Sequence, residues 1–239
     1  MPGLYRDEGI VLKTIKLGEA DRIVTLYTRQ NGKVRAVAKG IRKTKSRFGA
    51  RLEPFTHVKL MIYRGRNLDT ITSADIVTSF DDLRRSYGCL TAAMAMADAV
   101  EKITPDRESA YPTYSLLLAG FHALSRYDTP AILPAFLVKL LSVSGYHPQL
   151  VECAGCERPG VPLVGFSPAL GGAVCEDCWR EDRDSMAMSP AHILLLARLL
   201  STDFGEVADA ETTAELTLAL RRYAEYHLER PLRSLYSPV

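Results

Sequence analysis

The sequence predicts an α+β protein of two domains, a small five-stranded β-barrel followed by an all-α helical domain that carries a four-cysteine element. Three observations predict this class. The first 80 residues alternate β-branched and aromatic runs with turn residues, the later chain shows helical periodicity, and two C-x2-C pairs lie within that later part. A chain of 239 residues can bury two cores. We therefore place the domains at 1–80 and 81–239.

Five runs rich in Val, Ile, Leu, Thr and Tyr form the predicted barrel. Asn31-Gly32 is the best hairpin signal between them, because both residues tolerate the positive φ of a tight turn. Five short strands favour the oligonucleotide-binding (OB) barrel, although a small antiparallel sheet or an SH3-like barrel would give nearly the same pattern. The predicted strands span residues 9–17, 22–28, 33–39, 57–64 and 68–76.

The third predicted strand separates its residue types by face. Small apolar residues alternate with cations, as expected for a strand with one face in a core. The apolar set is Val34, Ala36 and Ala38, and the cationic set is Lys33, Arg35 and Lys39. We expect the first set inside the barrel and the second outside. The segment that follows, residues 41–50, is polar and basic and is predicted to form a loop or short helix.

From Asp81 onward the spacing of apolar residues becomes three and four, which indicates amphipathic helices. The first helix ends at Thr104-Pro105, and Ser189-Pro190 is predicted to be an N-cap followed by proline at the first helical position. The helical segments are predicted near residues 90–103, 112–127, 130–143, 191–200 and 212–228.

Charge is concentrated near the amino terminus. Between Asp21 and Glu53 the chain has ten Lys and Arg residues and no acidic residue. Residues 1–80 contain 16 basic and 7 acidic side chains, which leaves 14 and 21 for the remainder. Such a patch favours a polyanionic partner, nucleic acid first and an anionic membrane surface second. The alternative is a solvated surface whose cations pair with acids of the second domain.

The candidate binding residues are the cations of this patch and one aromatic residue. Phe48 is the best candidate for stacking on an unpaired base, because it lies between Arg47 and Gly49. Phe55 and Tyr27 are expected in the core. The full set is Arg22, Lys33, Arg35, Lys39, Arg42, Lys43, Lys45, Arg47, Phe48 and Arg51.

The two cysteine pairs, Cys153/Cys156 and Cys175/Cys178, have the spacing of a tetrahedral four-sulfur metal site. Soft thiolates favour one structural Zn2+, and we place this zinc element at about 150–182. Gly and Pro are frequent between the pairs, which predicts a loop with little core of its own. Redox dithiols, inert buried cysteines, or bound iron or an iron–sulfur cluster are the alternatives. Cys89 is expected to be a small buried hydrophobe.

Signals of catalysis and of membrane insertion are missing from the sequence. There is no phosphate loop, no H-E-x-x-H, no G-x-S-x-G and no deaminase signature, and the five histidines show no metal or triad spacing. We therefore expect no enzymatic activity. With no signal peptide and no apolar run of membrane-spanning length, we also expect a cytoplasmic, nucleoid-associated protein with no membrane partner.

Three segments resemble the bacterial RecO family of recombination mediators. They are LGEADRIVTL at 17–26, VAKGIRKTKSRFG at 37–49 and LEPF at 52–55. The similarity extends through the helical part and the cysteine pairs, and is closest to actinobacterial, zinc-bearing members. It implies an N-terminal OB-fold, a helical domain and a zinc element to which the four cysteines correspond one for one.

The resemblance also implies function and partners. RecO-like proteins bind single- and double-stranded DNA without sequence specificity, anneal complementary strands and, with RecR, help RecA to replace single-strand-binding protein. Some members contact the acidic C-terminal tail of single-strand-binding protein through the helical domain. No motif places that contact in this chain, and Arg221, Arg222 and Lys139 are its candidate cations.

Other function classes stay open from the residues alone. OB barrels and four-cysteine knuckles also occur in RNA-binding or ribosome-associated zinc proteins. A metal-dependent hydrolase would need an open coordination position, which four thiolates do not leave. A zinc-dependent transcription regulator is a further alternative, although no base-reading helix stands out.

Overall fold

The computed structural model describes residues 3–108 and 111–235. Its first five strands close into a barrel in the order β1-β2-β3-β5-β4, with β3 and β5 parallel and the other pairs antiparallel. This confirms the predicted OB-like barrel. The strands are β1 Leu4–Leu17, β2 Asp21–Thr28, β3 Gly32–Ala38, β4 His57–Tyr63 and β5 Asp69–Thr78.

The barrel interior follows the alternation of its strands. Val34, Ala36 and Ala38 are fully buried in one apolar cluster, as their spacing predicted, while Arg35 and Lys39 are exposed. The cluster is completed by Val11, Val24, Leu26, Ile41, Phe48, Leu52, Val58, Leu60, Ile62, Ile71 and Ala74. Small residues on β3 leave room for the larger side chains of the facing strands.

The β2–β3 turn needs glycine for two separate reasons. Gly32 has φ 61°, which L side chains rarely adopt, and a Cβ there would lie 1.9 Å from the carbonyl oxygen of Glu108. Asp7 fixes the turn, because its carboxylate accepts hydrogen bonds from the backbone N–H groups of Gln30 and Asn31 at 3.1 and 3.2 Å. The turn is thus shaped by the barrel and by the close approach of the helical region.

In the described part of the chain, six helices follow a short 3-10 turn at Asp81–Arg84. Helix α3 is central, because all sides of it are buried and it is apolar almost throughout. The predicted N-cap of α5 is confirmed, since the Ser189 hydroxyl accepts from the His192 N–H. The helices are α1 Tyr87–Ile103, α2 Tyr111–Tyr127, α3 Ile132–Val143, α4 Glu176–Glu181, α5 Pro190–Ser201 and α6 Ala214–Leu228. Within the described residues no helix is long and apolar enough to cross a membrane.

The helical region also contains a small sheet that the sequence did not predict. β6 Leu163–Ser167 lies between β7 Gly172–Cys175 and β8 Met186–Ala187. These strands are two to five residues long and rich in glycine, so they show no alternation. The sheet is held by tertiary contact instead, since Phe166 is fully buried with its ring centroid 5.5 Å from that of Tyr223.

Four residues of the barrel region belong to the apolar core of the helical region and not to the barrel interior. Ile10, Leu12, Tyr27 and Phe55 belong to the same buried cluster as helices α1, α2 and α3. The ring of Phe55 meets that of Phe121 edge-on at 5.6 Å. The expectation that Phe55 and Tyr27 are core residues is therefore confirmed, although Tyr27 faces the helices rather than the barrel interior.

A buried carboxylate joins the two regions. Asp69 at the start of β5 has a side chain with no exposed surface and lies 2.9 Å from the Arg107 guanidinium. It also accepts from the Tyr5 hydroxyl at 2.7 Å and the Gly65 N–H at 3.0 Å. Burial opposes the charge of Asp69, but these hydrogen bonds outweigh it and lower its pKa.

We predict that Asp69→Ala destabilises the protein by about 3 kcal/mol, because it leaves the Arg107 and Tyr5 groups without their buried partner. Urea unfolding at neutral pH would measure this, with Asp75→Ala, an exposed carboxylate of the same strand, as the control. The pKa of Asp69 is lower in the folded protein than its ordinary value of 3.8. Its contribution to folding stability is therefore fully present above pH 3.8 and is lost as the pH falls through the lower, folded-state pKa. Equal effects of the two substitutions would contradict this role.

Candidate nucleic-acid interface and metal centre

The segment from Lys39 to Leu52, the basic loop, connects β3 to β4 at one end of the barrel. Ile41, Phe48 and Leu52 from this loop are buried in the barrel core. The backbone between them turns tightly, with the Lys43 N–H donating to the Gly40 carbonyl at 3.1 Å. The loop is therefore anchored at three points rather than extended into solvent.

The charged residues of the basic loop face outward between these anchors. Two of them order the loop: Arg42 donates to the carbonyl oxygens of Gly18 and Glu19 at 3.1 and 2.8 Å, and Arg51 donates to that of Arg47 at 2.8 Å. Across the part of the chain that the structure describes, no carboxylate forms an ion pair with any cation of this loop. The basic loop exposes six cations, Lys39, Arg42, Lys43, Lys45, Arg47 and Arg51.

Two further cations flank the basic loop. Arg35 is exposed on the outer face of β3. Arg22 at the start of β2 is half-buried and pairs with Glu53 at 3.0 Å, which partly neutralises it. The structure therefore brings seven of the nine predicted cations to one end of the barrel, around the β1–β2 turn and the basic loop, and places Arg35 near the middle of β3.

Lys33 is not part of this surface, in contrast to the prediction. It begins β3, while Lys39 follows its end, so about 20 Å of strand separates them. Its ammonium donates to the carbonyl oxygens of Glu101 and Thr104, each at 2.6 Å, and pairs with Asp106 at 3.1 Å. Lys33 thus binds the carboxyl end of α1, where backbone carbonyls lack helical partners.

Phe48, the residue predicted to stack on bases, is buried in this structure. Its side chain is 1% exposed, and the guanidinium carbon of Arg47 lies 4.9 Å from its ring centroid. An aromatic residue between a cation and glycine gives the same local pattern whether it stacks on a ligand or anchors a loop. The burial of Phe48 shows that it anchors the loop in this structure.

The four predicted metal ligands do converge. The Sγ atoms of Cys153, Cys156, Cys175 and Cys178 all lie within 4.8 Å of one another. The Cys156–Cys175 separation of 3.8 Å equals the edge of a tetrahedron with bonds of about 2.3 Å, the zinc–sulfur length. Gly155 permits the approach, because a Cβ there would lie 2.9 Å from the Cys178 sulfur.

The electrostatics of these sulfurs call for a cation. Burial opposes ionisation of Cys153, but N–H groups of Cys156, Cys175 and Gly155 outweigh it and lower its pKa to about 6. Burial and the neighbouring sulfurs raise the pKa of Cys178 to about 12. Four sulfurs this close cannot all be thiolates unless a positive ion lies between them. The donor set therefore fits a soft metal ion in a closed shell.

Arg158 is a residue of this centre that the cysteine spacing did not indicate. Its Nε donates to the Cys156 sulfur at 3.2 Å, and this contact lowers the thiol pKa. Asp177 holds the same guanidinium at 2.7 Å. Arg158 is thus placed to offset negative charge on the sulfurs from outside the ligand shell.

The three candidate cations for the tail contact differ in their surroundings. Lys139 is excluded as a free cation, because its ammonium donates to the carbonyl oxygens of Leu200 and Thr202 at 2.9 and 2.6 Å. Arg221 lies beside Glu225. Arg222 is exposed and borders a concavity of about 390 Å³ with Arg183 and Tyr226.

A barrel of this order with a cationic loop, joined to helices and a four-sulfur centre, defines an OB-barrel protein of the kind that binds oligonucleotides. Comparison with known families agrees with this class. Residues 1–80 match the family model for the N terminal part of recombination protein O, and residues 84–236 match that for its C terminal part.

Curated relatives match over the whole chain. It is 44% identical to the DNA repair protein RecO of Thermobifida fusca and 43% identical to that of Streptomyces avermitilis, in each case over 97% of both chains. The RecO of a Nocardioides species is 42% identical over 97% of this chain. The chain therefore belongs to the RecO family of DNA repair proteins, close to its actinobacterial members.

We predict that Phe48→Ala destabilises the protein by about 3 kcal/mol and opens the basic loop to trypsin, because it removes a buried anchor. Phe48→Leu keeps most of the apolar volume and serves as the control. Urea unfolding and the rate of cleavage within residues 39–51 would measure both effects. Unchanged stability of Phe48→Ala combined with weaker nucleic-acid binding would instead restore the stacking role.

Proposed function

We propose that the protein binds single- and double-stranded DNA without sequence specificity through the basic loop and its flanking residues Arg22 and Arg35. The observation that carries this proposal is a loop anchored by three buried side chains that exposes six cations with no carboxylate partner among the described residues. A fixed, uncompensated cationic surface attracts phosphate through long-range charge. Lys33 and Phe48 are left out of the proposed site.

The geometry favours contact with the phosphate backbone over reading of bases. The exposed loop side chains are Lys and Arg, and no aromatic ring of the loop is accessible. Phosphate contacts carry no sequence information, so any sequence binds. If all six loop cations neutralise phosphates of a single strand, the logarithm of affinity falls with the logarithm of salt with a slope of about −4.

Strand annealing follows from this mode of binding. Two complementary strands repel each other through their phosphates, and a cationic surface lowers that repulsion while it raises their local concentration. Pairing then requires no chemical step by the protein. This agrees with the absence of catalytic motifs from the sequence.

We further propose that the protein acts in the cytoplasm with RecR, and helps RecA to load onto DNA coated by single-strand-binding protein. Membership of the RecO family supports this role. The acidic tail of single-strand-binding protein would contact the helical region. Among the three cations considered, Arg222 is our choice, because it is exposed beside Tyr226 and Arg183 in a concavity.

The four-cysteine centre is proposed to hold one structural Zn2+. Four sulfur donors in a closed arrangement suit zinc and leave no position for substrate. The ion would tie the 153–156 turn to β7 and α4, which have a small apolar cluster of their own. We also retain 1–80 and 81–239 as the proposed limits of the DNA-binding and helical domains.

We predict that the triple variant Lys39→Gln, Lys43→Gln, Lys45→Gln loses strand annealing at physiological salt while its thermal unfolding is unchanged, since these exposed lysines make no contact that stabilises the fold. Its salt slope for single-stranded DNA should become shallower by about 2, or 0.7 for each lost contact. Fluorescence anisotropy titrations at several salt concentrations would measure this.

The matched control for that variant is Arg85→Gln, Arg126→Gln, Arg230→Gln, which removes the same charge from exposed positions of the helical region. It should keep the annealing rate and the salt slope of the wild type. Normal annealing by the lysine variant, or an equal loss in the control, would overturn the proposed site.

We predict that metal analysis finds one zinc ion per chain and that Arg158→Ala releases it to a chelator about tenfold faster than the wild type. The reason is the loss of the guanidinium that donates to Cys156. The zinc release rate of Arg158→Lys should lie between those of the wild type and Arg158→Ala. Lysine keeps the positive charge but lacks the planar guanidinium group that also pairs with Asp177. A zinc-free protein would refute the proposed ion, and equal release rates would refute the role of Arg158.

A further inference from the structure

A second cationic surface lies on the barrel, apart from the basic loop. The outer faces of β1, β4 and β5 are exposed side by side, since Arg6 pairs in register with Met61 and Lys59 with Asp75. Arg64 follows β4, and Arg66 lies in the turn to β5. We call this surface, made of Arg6, Lys59, Tyr63, Arg64 and Arg66, the second basic face.

The cations of the second basic face are not neutralised by ion pairs. Among the described residues, no carboxylate lies within ion-pair distance of Arg6, Lys59, Arg64 or Arg66. Arg64 is held in place, because it donates to the Asn31 side-chain oxygen at 3.0 Å and its guanidinium carbon lies 5.1 Å from the Tyr5 ring centroid. The positive charge of this face is therefore available to a ligand.

Three carboxylates lie near these cations. Asp7 is buried and accepts from the β2–β3 turn. Glu8 lies 2.9 Å from the His57 ring nitrogen and pairs in register with Lys59. Asp75 is exposed on the other side of Lys59. The four cations therefore exceed the three carboxylates by one charge, which leaves the face weakly positive.

The second basic face also offers an aromatic ring and a hollow. Tyr63 is 47% exposed among these cations, whereas Phe48 of the basic loop is buried. A concavity of about 250 Å³ is lined by Arg6, Arg29 and Lys59 together with Asp7 and Glu8. Cations beside an accessible ring are the combination that binds the phosphates and bases of an unpaired strand.

The two surfaces lie at opposite ends of β1. Leu4 pairs with Tyr63 at the start of the strand, whereas Leu17 pairs with Asp21 at the turn that Arg42 contacts through Gly18 and Glu19. Around the barrel the surfaces come closer, because Thr70 of β5 pairs with Val37 of β3 and with Tyr63 of β4. Salt screens repulsion between phosphates beyond a Debye length of about 10 Å, so strands on the two surfaces repel each other less than two strands on one surface.

We propose that the second basic face binds a second DNA strand while the basic loop holds the first. The two strands are then loaded on one chain with reduced mutual repulsion, and they pair where they extend beyond the barrel. This inference rests on the proposed function, in which the basic loop binds DNA and promotes annealing.

The test is native mass spectrometry of the full chain with an oligothymidine of about eight nucleotides, within the usual site size of one OB barrel. The wild type should bind two oligonucleotides per chain. The variant Arg6→Gln, Lys59→Gln, Arg66→Gln should bind one, and should anneal complementary strands at least about tenfold more slowly. It spares Arg64, whose hydrogen bond to Asn31 orders the turn.

The outcomes separate this inference from the proposed function. Two oligonucleotides on the second-face variant, or a single one on the wild type, would overturn the second strand site and leave the basic loop standing. No binding by the wild type would overturn both. The Arg85→Gln, Arg126→Gln, Arg230→Gln control should bind two, and a loss there would show that net charge alone sets the stoichiometry and would also overturn the site.

Discussion

The burial of Ile41, Phe48 and Leu52 in one end of the barrel is the interaction on which the proposed DNA-binding surface depends. Each buried side chain stabilises the folded loop by about 2 kcal/mol. Two exposed cations about 9 Å apart in water repel each other by roughly 0.5 kcal/mol, and salt lowers this further. Three anchors therefore outweigh the repulsion among neighbouring cations. A loop with the same charge and no anchors would order only on binding a polyanion.

The same reasoning applies where the barrel meets the helices. Outward side chains of β1 and β2 complete the core of the helical region, so the two regions pack as one body of apolar contacts. Polar groups at this junction, such as Asp69 with Arg107 and Lys33 with the end of α1, are buried and paired. Charged residues at this junction therefore stabilise the fold, whereas the cations of the basic loop, at the other end of the barrel, are free to bind a ligand.

The metal centre uses a different source of order. Its turn, short strands and six-residue helix bury few apolar side chains, with a cluster limited to Cys153, Val174 and Cys175 and their partly buried neighbours. Four converging sulfurs make the arrangement unfavourable without a cation and favourable with one. Arg158 adds a positive charge from outside, in keeping with a closed structural site rather than a reactive one.

The sequence by itself determined the features that depend on local patterns of residues. Alternation in β3 placed Val34, Ala36 and Ala38 inside the barrel, and helical spacing found the long helices. The C-x2-C pairs identified the four sulfurs, because two residues between cysteines bring both to one ion.

Only the tertiary structure decided which charges and rings are available. Lys33 and Lys39 look alike on one strand face, yet one binds the end of a helix and the other meets solvent. Phe48 is an anchor while Tyr63 is accessible, and the β6–β8 sheet exists through its packing on Tyr223. The physical reason is that burial and ion pairing depend on what lies across space, and residues 30 to 70 positions away in the chain supply those neighbours.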